Sequence, residues 1–211
     1  APVYYKLLVT VPPLELLSHR TIWSFLFFFG VLGLFGRIKE LWTAIFNFKG
    51  QLPIILLASI LIAINWFFFI YAIQTNKTTE ASLGYFMMPL VTVVWGLIIF
   101  QEKLSLFQWM SVFLATLAVC ILTYGLGIPP WIALILSFSF SIYAVLKKKL
   151  ETSPIVGVTG EVLVLVPIGL LLLMYIHTDG QGSFGTDWKI TCLLALSGPL
   201  TAAPLILFSY G

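Results

Sequence analysis

Along this chain, apolar positions come in continuous runs of roughly twenty, separated by short polar connectors. The runs fall at about 20–36, 52–74, 81–101, 106–125, 129–146, 158–176 and 190–210. Crossing the hydrocarbon of a bilayer takes about 20 apolar residues in a helix, so each run is long enough to span. The runs do not alternate with a period of two, which argues against β-barrel strands. With no water to satisfy the backbone, helices are the remaining way across. The pattern therefore predicts an all-α membrane protein, a polytopic helical bundle with seven complete spans.

Composition agrees. Of 211 residues, 60% are apolar and only 9% charged, against about 25% charged in a soluble domain. The net charge of +3 is small and dispersed, with no basic patch interleaved with aromatics to suggest nucleic acid. Cys120 and Cys192 both lie in apolar runs and read as packing residues. No signal peptide opens the chain. It starts mid-pattern at Ala1 and closes at Gly211 inside an apolar run, which reads as a segment of a longer polypeptide.

The connectors carry an asymmetry. The one from Gly36 to Gln51 holds Arg37, Lys39 and Lys49, the one near Gln101–Leu104 holds Lys103, and the fifth run is followed by Lys147, Lys148 and Lys149. Alternate connectors share a side, so these residues collect together. The other side has Lys77, with Lys6 and Lys189 near span ends, while Gly125–Pro130 has no charge and Thr178–Trp188 holds Asp179 and Asp187. The positive-inside rule makes the basic set cytoplasmic. Gly30, Gly33 and Gly36, and Ala133, Ser137, Ser141 and Ala144, supply small-residue faces for close helix approach.

Polar groups inside spans are costly, which makes them functional candidates. Arg20 heads the first run, with His19 beside it and Trp23 and Ser24 on its face. Glu161 lies about one turn into the sixth run, and Asn65–Trp66 near the middle of the second. Arg20 and Glu161 have the alternative of snorkelling to the interface, and Asn65 that of bonding a neighbouring helix. In the third run Tyr85, Pro89, Thr92 and Gly96 share one face. Pro89 has no N–H, so the Tyr85 carbonyl loses its usual partner. Such interruptions either build transporter sites or simply kink a helix. Pro167, Pro199 and Pro204 pose the same choice.

Other patterns are discounted. Gly180–Gly185 matches G-x-G-x-x-G but lacks the strand that a phosphate cradle needs, and Asn76–Lys77–Thr78 is a sequon in a very short loop. His19 and His177 have no second ligand nearby, so no metal is expected. No nucleophile elbow, H-E-x-x-H or paired catalytic carboxylates occur, and neither an enzyme nor a cofactor is expected.

The segment Pro12–Ser24, with Glu15, His19–Arg20 and Trp23–Ser24, resembles the start of the second helix in RarD-type permeases, of the EamA branch of the drug/metabolite transporter superfamily. Glu80–Ala81–Ser82–Leu83–Gly84–Tyr85–Phe86 followed by Pro89–Leu90 is similar to that family's most characteristic run. Asn65–Trp66, Glu102 and Lys147–Lys149 fall where the family would place them. The resemblance implies ten helices in two inverted five-helix repeats working by alternating access. Residues 1–127 would hold the tail of helix one and helices two to five, and 128–211 helices six to eight of a truncated second repeat. Leu56–Leu57–Ala58 and Leu193–Leu194–Ala195 would belong to paired third helices.

The resulting expectation is a secondary permease exporting or exchanging small organic metabolites or drugs. Asn65, Trp66, Tyr85, Pro89 and Thr92 would line the substrate site, while His19, Arg20, Glu80 and Glu161 would gate or couple. It would be a multi-pass protein of a bacterial-type plasma membrane, in contact with lipid and substrate, with a homodimer left open. A seven-helix receptor and a non-transporting scaffold subunit are the alternatives.

Overall fold

The computed structural model describes residues 2–46, 51–127, 129–150 and 153–210, without the side chains of Leu126 and of residues 203–210. Lys49, Gly211, Ile128 in the uncharged connector and the side chain of Pro204 thus lie outside the described residues. The described residues form the helices α1 (Pro2–Leu7), α2 (Pro13–Leu34), α3 (Ile38–Phe46), α4 (Gln51–Gln74), α5 (Thr78–Ile99), α6 (Leu106–Leu126), α7 (Trp131–Lys149), α8 (Pro154–Thr178) and α9 (Trp188–Tyr210). Among the described residues, α2 and α4 to α8 are long and apolar enough to cross a membrane. The 22 residues of α2 reach about 33 Å at 1.5 Å per residue. The seventh apolar run lies within the 23-residue α9.

Two helices start earlier than their apolar runs. Pro13 and Pro154 stand at the first turns of α2 and α8, where a fixed φ and a missing N–H cost nothing. Arg20 and Glu161 are each two turns inside a helix, not at its mouth. The Gly36–Gln51 connector is not all loop. Leu41 and Ala44 of α3 are buried in a cluster with Phe28, Leu32, Ile55 and Ile155, while Lys39, Glu40 and Thr43 stay exposed. Spacing of apolar residues by three or four makes α3 amphipathic, and its polar face interrupts any continuous run. Elsewhere the termini are conventional. Ser105 and Gln108 form a capping box on α6 (3.4 and 2.8 Å), and Gly127 ends that helix at φ 66°.

The bundle packs α2 against α8 and α9, α4 against α7 and α8, and α5 against α7, with α6 outermost on α5. Small residues set the closest approaches. A Cβ added to Gly198 of α9 would sit 2.3 Å from the Trp23 carbonyl carbon. One added to Gly84 of α5 would lie 3.0 Å from Leu136 Cβ and 3.1 Å from the Ala133 carbonyl oxygen. Further along the α5–α7 seam, Thr92 Oγ1 and Ser141 Oγ are 3.2 Å apart. At its basic end, Lys148 Nζ reaches Glu102 at 3.4 Å and lies 4.0 Å from the Phe100 ring centroid. Pro89 does not break α5, which runs unbroken from Thr78 to Ile99.

Links between connectors fix which helix ends lie together. Gln74 Nε2 donates to the carbonyls of Leu8 (2.9 Å) and Val11 (3.0 Å), tying the α1–α2 link to the end of α4. Glu15 Oε1 accepts from the backbone N–H groups of Ser183 (2.7 Å) and Phe184 (3.1 Å), holding the α8–α9 loop at that same end. Arg37, Lys39, Lys103 and Lys147–Lys149 occupy the opposite, basic end.

Candidate functional site

Among the described residues, six helices line a partly open cavity of about 380 Å³. Tyr4 and Tyr5 of α1, Arg20 of α2, and Asn65, Trp66 and Phe69 of α4 form one part of its wall. Tyr85 of α5, Phe140 of α7 and Ser197, Leu200 and Thr201 of α9 form the rest. The depth follows from the helices. Arg20 is seven residues past Pro13, Tyr85 seven past Thr78, Trp66 eight before Gln74, and Phe140 nine past Trp131. At 1.5 Å per residue, all lie roughly 10–14 Å from the end opposite the basic one. The site is therefore close to the middle of a hydrocarbon core about 30 Å thick.

Among the described residues, Arg20 is the one charged residue of this wall. It is only 7% exposed, so it does not snorkel. Its guanidinium carbon lies 4.0 Å from the Trp66 ring centroid and 5.9 Å from that of Tyr5. Stacking on an indole face is worth about 2 kcal/mol when desolvated. Among the described residues Arg20 enters no ion pair, and its Nε is buried without a hydrogen-bond partner.

Asn65 bridges to α7. Its Nδ2 donates to the Leu136 carbonyl (3.0 Å) and to Ser139 Oγ (3.2 Å), so the helix-to-helix alternative holds for this residue even as it borders the cavity. Tyr85 meets Phe69 edge-on, with centroids 5.7 Å apart. Of the residues read from sequence as a substrate site, Asn65, Trp66 and Tyr85 are brought together. Pro89 and Thr92 are not in the wall, and Thr92 instead bonds the Met88 carbonyl and Ser141.

The four charged or titratable candidates separate. Only Arg20 reaches the cavity. His19 stacks on Phe184 (4.6 Å between centroids), with Nε2 4.0 Å from Glu15 Oε1, and so backs the α8–α9 loop. Glu80 is buried in the first turn of α5, 3.6 Å from Lys77 Nζ. Glu161, 1% exposed, lies toward the basic end and receives Lys147 Nζ at 2.9 Å and the Tyr143 hydroxyl at 3.0 Å.

Tyr4, Tyr5, Phe69, Phe140, Ser197, Leu200 and Thr201 were not singled out by sequence. Aromatic and small residues are common in spans, and a local pattern carries no sign of which neighbouring helix they face. The Glu15 clasp and the Lys147–Glu161 pair likewise join positions far apart or across a turn.

The sequence profile described as the EamA-like transporter family matches residues 1–124. The uncharacterized transporter YojE of Bacillus subtilis is 40% identical over 215 residues, covering 100% of this chain and 71% of that protein. Protein RarD of Escherichia coli is 34% identical over 210 residues, 99% of this chain and 71% of the relative. Protein RarD of Streptomyces exfoliatus is 35% identical over 215 residues, 98% and 66% respectively. No solved structure matches the chain.

Proposed function

Because the chain belongs to the EamA-like transporter family, we propose that it moves a small organic molecule through the Arg20 cavity by alternating access. The observation that carries the reading is the placement of an aromatic-lined cavity of about 380 Å³, holding the buried Arg20, near the bilayer midplane between helices. Small-molecule sites typically occupy 300–1,000 Å³, and transporter sites lie at midplane. Family membership puts transport ahead of the receptor and scaffold alternatives.

An inverted repeat is supported by a symmetry in the packing. Exchanging α2 with α8 and α4 with α9 turns the α2–α9 contact into the α8–α4 contact, and both pairs pack. The exchanged helices run in opposite directions. Arg20 and Glu161 then occupy matching positions, each seven residues after a proline that opens its helix. On this reading the repeats divide at about residue 127, consistent with a family match ending at 124. The basic end is cytoplasmic by the positive-inside rule. The Glu161–Lys147–Tyr143 cluster closes the cytoplasmic side and couples transport to protons through its carboxylate. The Glu15–His19–Phe184 clasp and Glu80 guard the other side.

Proteoliposomes carrying the chain test this. Uptake of a panel of radiolabelled small organic molecules should exceed that of empty vesicles and respond to collapse of a pH gradient, and Trp66→Ala should abolish it. Uptake equal to that of empty vesicles for every compound rejects transport, and indifference to the gradient rejects proton coupling.

A further inference from the structure

We infer that the cavity takes a small organic anion with an aromatic or otherwise apolar body, its carboxylate seated on the Arg20 guanidinium. This names the substrate class of the proposed transport site and rests on that reading for the site's role. The starting point is an imbalance of charge. A guanidinium stays protonated in proteins, and burying it in a span is costly unless something compensates it. Arg20 is buried, enters no ion pair among the described residues and has an unpartnered Nε. Among the described residues, the cavity wall contains no Asp or Glu. With no counter-charge among the described residues, a ligand is positioned to bring it.

Geometry narrows the class. One face of the guanidinium is taken by Trp66 at 4.0 Å. Stacking leaves the in-plane N–H edge for an acceptor, and a planar carboxylate matches that fork with two parallel bonds. Around it, Tyr5, Trp66, Phe69, Tyr85 and Phe140 present rings, which suit an apolar or aromatic body and poorly reward a bare inorganic anion. A zwitterion fits less well than a simple acid. Its ammonium would find no carboxylate in the wall, only neutral acceptors such as the Asn65 carbonyl oxygen, which accepts no bond among the described residues. The other charged clusters differ in kind. Glu161 already has Lys147 and Tyr143, and Glu15 has two backbone donors.

The test is equilibrium binding to the chain in phosphatidylcholine nanodiscs, which carry no net lipid charge. Radiolabelled phenylacetate, benzoate and indole-3-acetate are the probes, with phenylacetamide, phenylalanine and sulfate as competitors. The expected result is that the amide, the zwitterion and sulfate each compete roughly tenfold or more weakly than unlabelled phenylacetate, the usual scale for losing a charge-assisted bond. Arg20→Lys should keep part of the preference. Arg20→Gln should make acid and amide equal while still binding the amide, which shows that its cavity is folded. Equal competition by acid and amide in the unaltered chain overturns the inference without recourse to any variant. So does displacement by sulfate as readily as by phenylacetate, or failure of all three acids to bind. Flux separates this from the transport reading. Arg20-dependent acid binding without vesicle uptake keeps the ligand class and rejects transport, whereas uptake of neutral compounds with no acid preference does the reverse.

Discussion

The guanidinium of Arg20 lies 4.0 Å from the centre of the Trp66 ring, joining α2 to α4 across the cavity. Two residues 46 positions apart thus share one contact, the cation of one resting on the π-face of the other. Replacing Trp66 by Leu keeps an apolar wall but removes that face. We expect a loss of about 2 kcal/mol, the scale of a desolvated cation–π contact, with Trp66→Phe retaining part of it. Denaturant unfolding in detergent measures the difference, and equal stability of the Leu and Phe variants would rule out a role for the ring face.

The α2–α9 contact should be intolerant of a single methyl group. At Gly198 a Cβ would fall 2.3–2.6 Å from Trp23 and Ser24 atoms, two of them backbone, so the helices must part. Gly198→Ala should cost about 1–3 kcal/mol, as overpacking does. Gly30→Ala is the matched control, since a Cβ there meets nothing within 4 Å and alanine favours helix. Thermal unfolding of both variants side by side reads the contrast.

Lys147 and Glu161 should be unequal to their sum. Removing Lys147 leaves a carboxylate that is 1% exposed with only the Tyr143 hydroxyl. Breaking such a pair costs about 3–5 kcal/mol, while replacing both members by apolar residues of similar size costs far less. A double-mutant cycle with Lys147→Met and Glu161→Leu should therefore show strong coupling. Additive effects would contradict the pairing.

A pH effect is expected at the solvent-exposed start of α3. Arg37 donates through Nε (2.8 Å) and a terminal nitrogen (2.7 Å) to the two oxygens of Glu40. Those hydrogen bonds, with the charge behind them, hold the Glu40 carboxyl below the ordinary glutamate range. Because the folded-state value is the lower one, the pair's contribution is complete above the unfolded carboxylate pKa. It fades as pH falls through the folded value. A side-chain NMR titration should place the Glu40 midpoint below that of free glutamate and raise it in Arg37→Gln. An unchanged midpoint in that variant would remove Arg37 as the cause.

Some of this was written locally and some was not. Long apolar runs mark helices whatever surrounds them, so α4 to α8 could be read directly. The start of α8 could not, and that of α2 came only from the resemblance at Pro12–Ser24 and not from its apolar run. Glu15, Ser18, His19 and Arg20 are polar in sequence and buried in the bundle, because partners from α4, α8 and the α8–α9 loop cover them. The α3 helix escaped for the opposite reason, since only one of its faces is apolar. At the cavity, Asn65, Trp66, Tyr85 and Arg20 stood out as polar or aromatic residues in familiar motifs. Ser197, Thr201 and Phe140 gain significance only from the turn of helix they happen to share with the others. Thr92 had the right face of α5 but sits two turns beyond Tyr85, where α7 rather than the cavity meets it.

The seam between α5 and α7 is fastened at three heights: Gly84 against Ala133 and Leu136, Thr92 against Ser141, and Glu102 against Lys148. A rod clasped only at its tip would flex at Pro89 and absorb a push. With contacts above and below that proline, the two helices would act as a girder that passes a displacement along its length. Tyr85, one residue from the uppermost clasp, would then travel with α7 instead of swinging alone. Were the lysine-rich end to tilt, Tyr85 and Phe140 would shift together, and the ring walls would move as one panel.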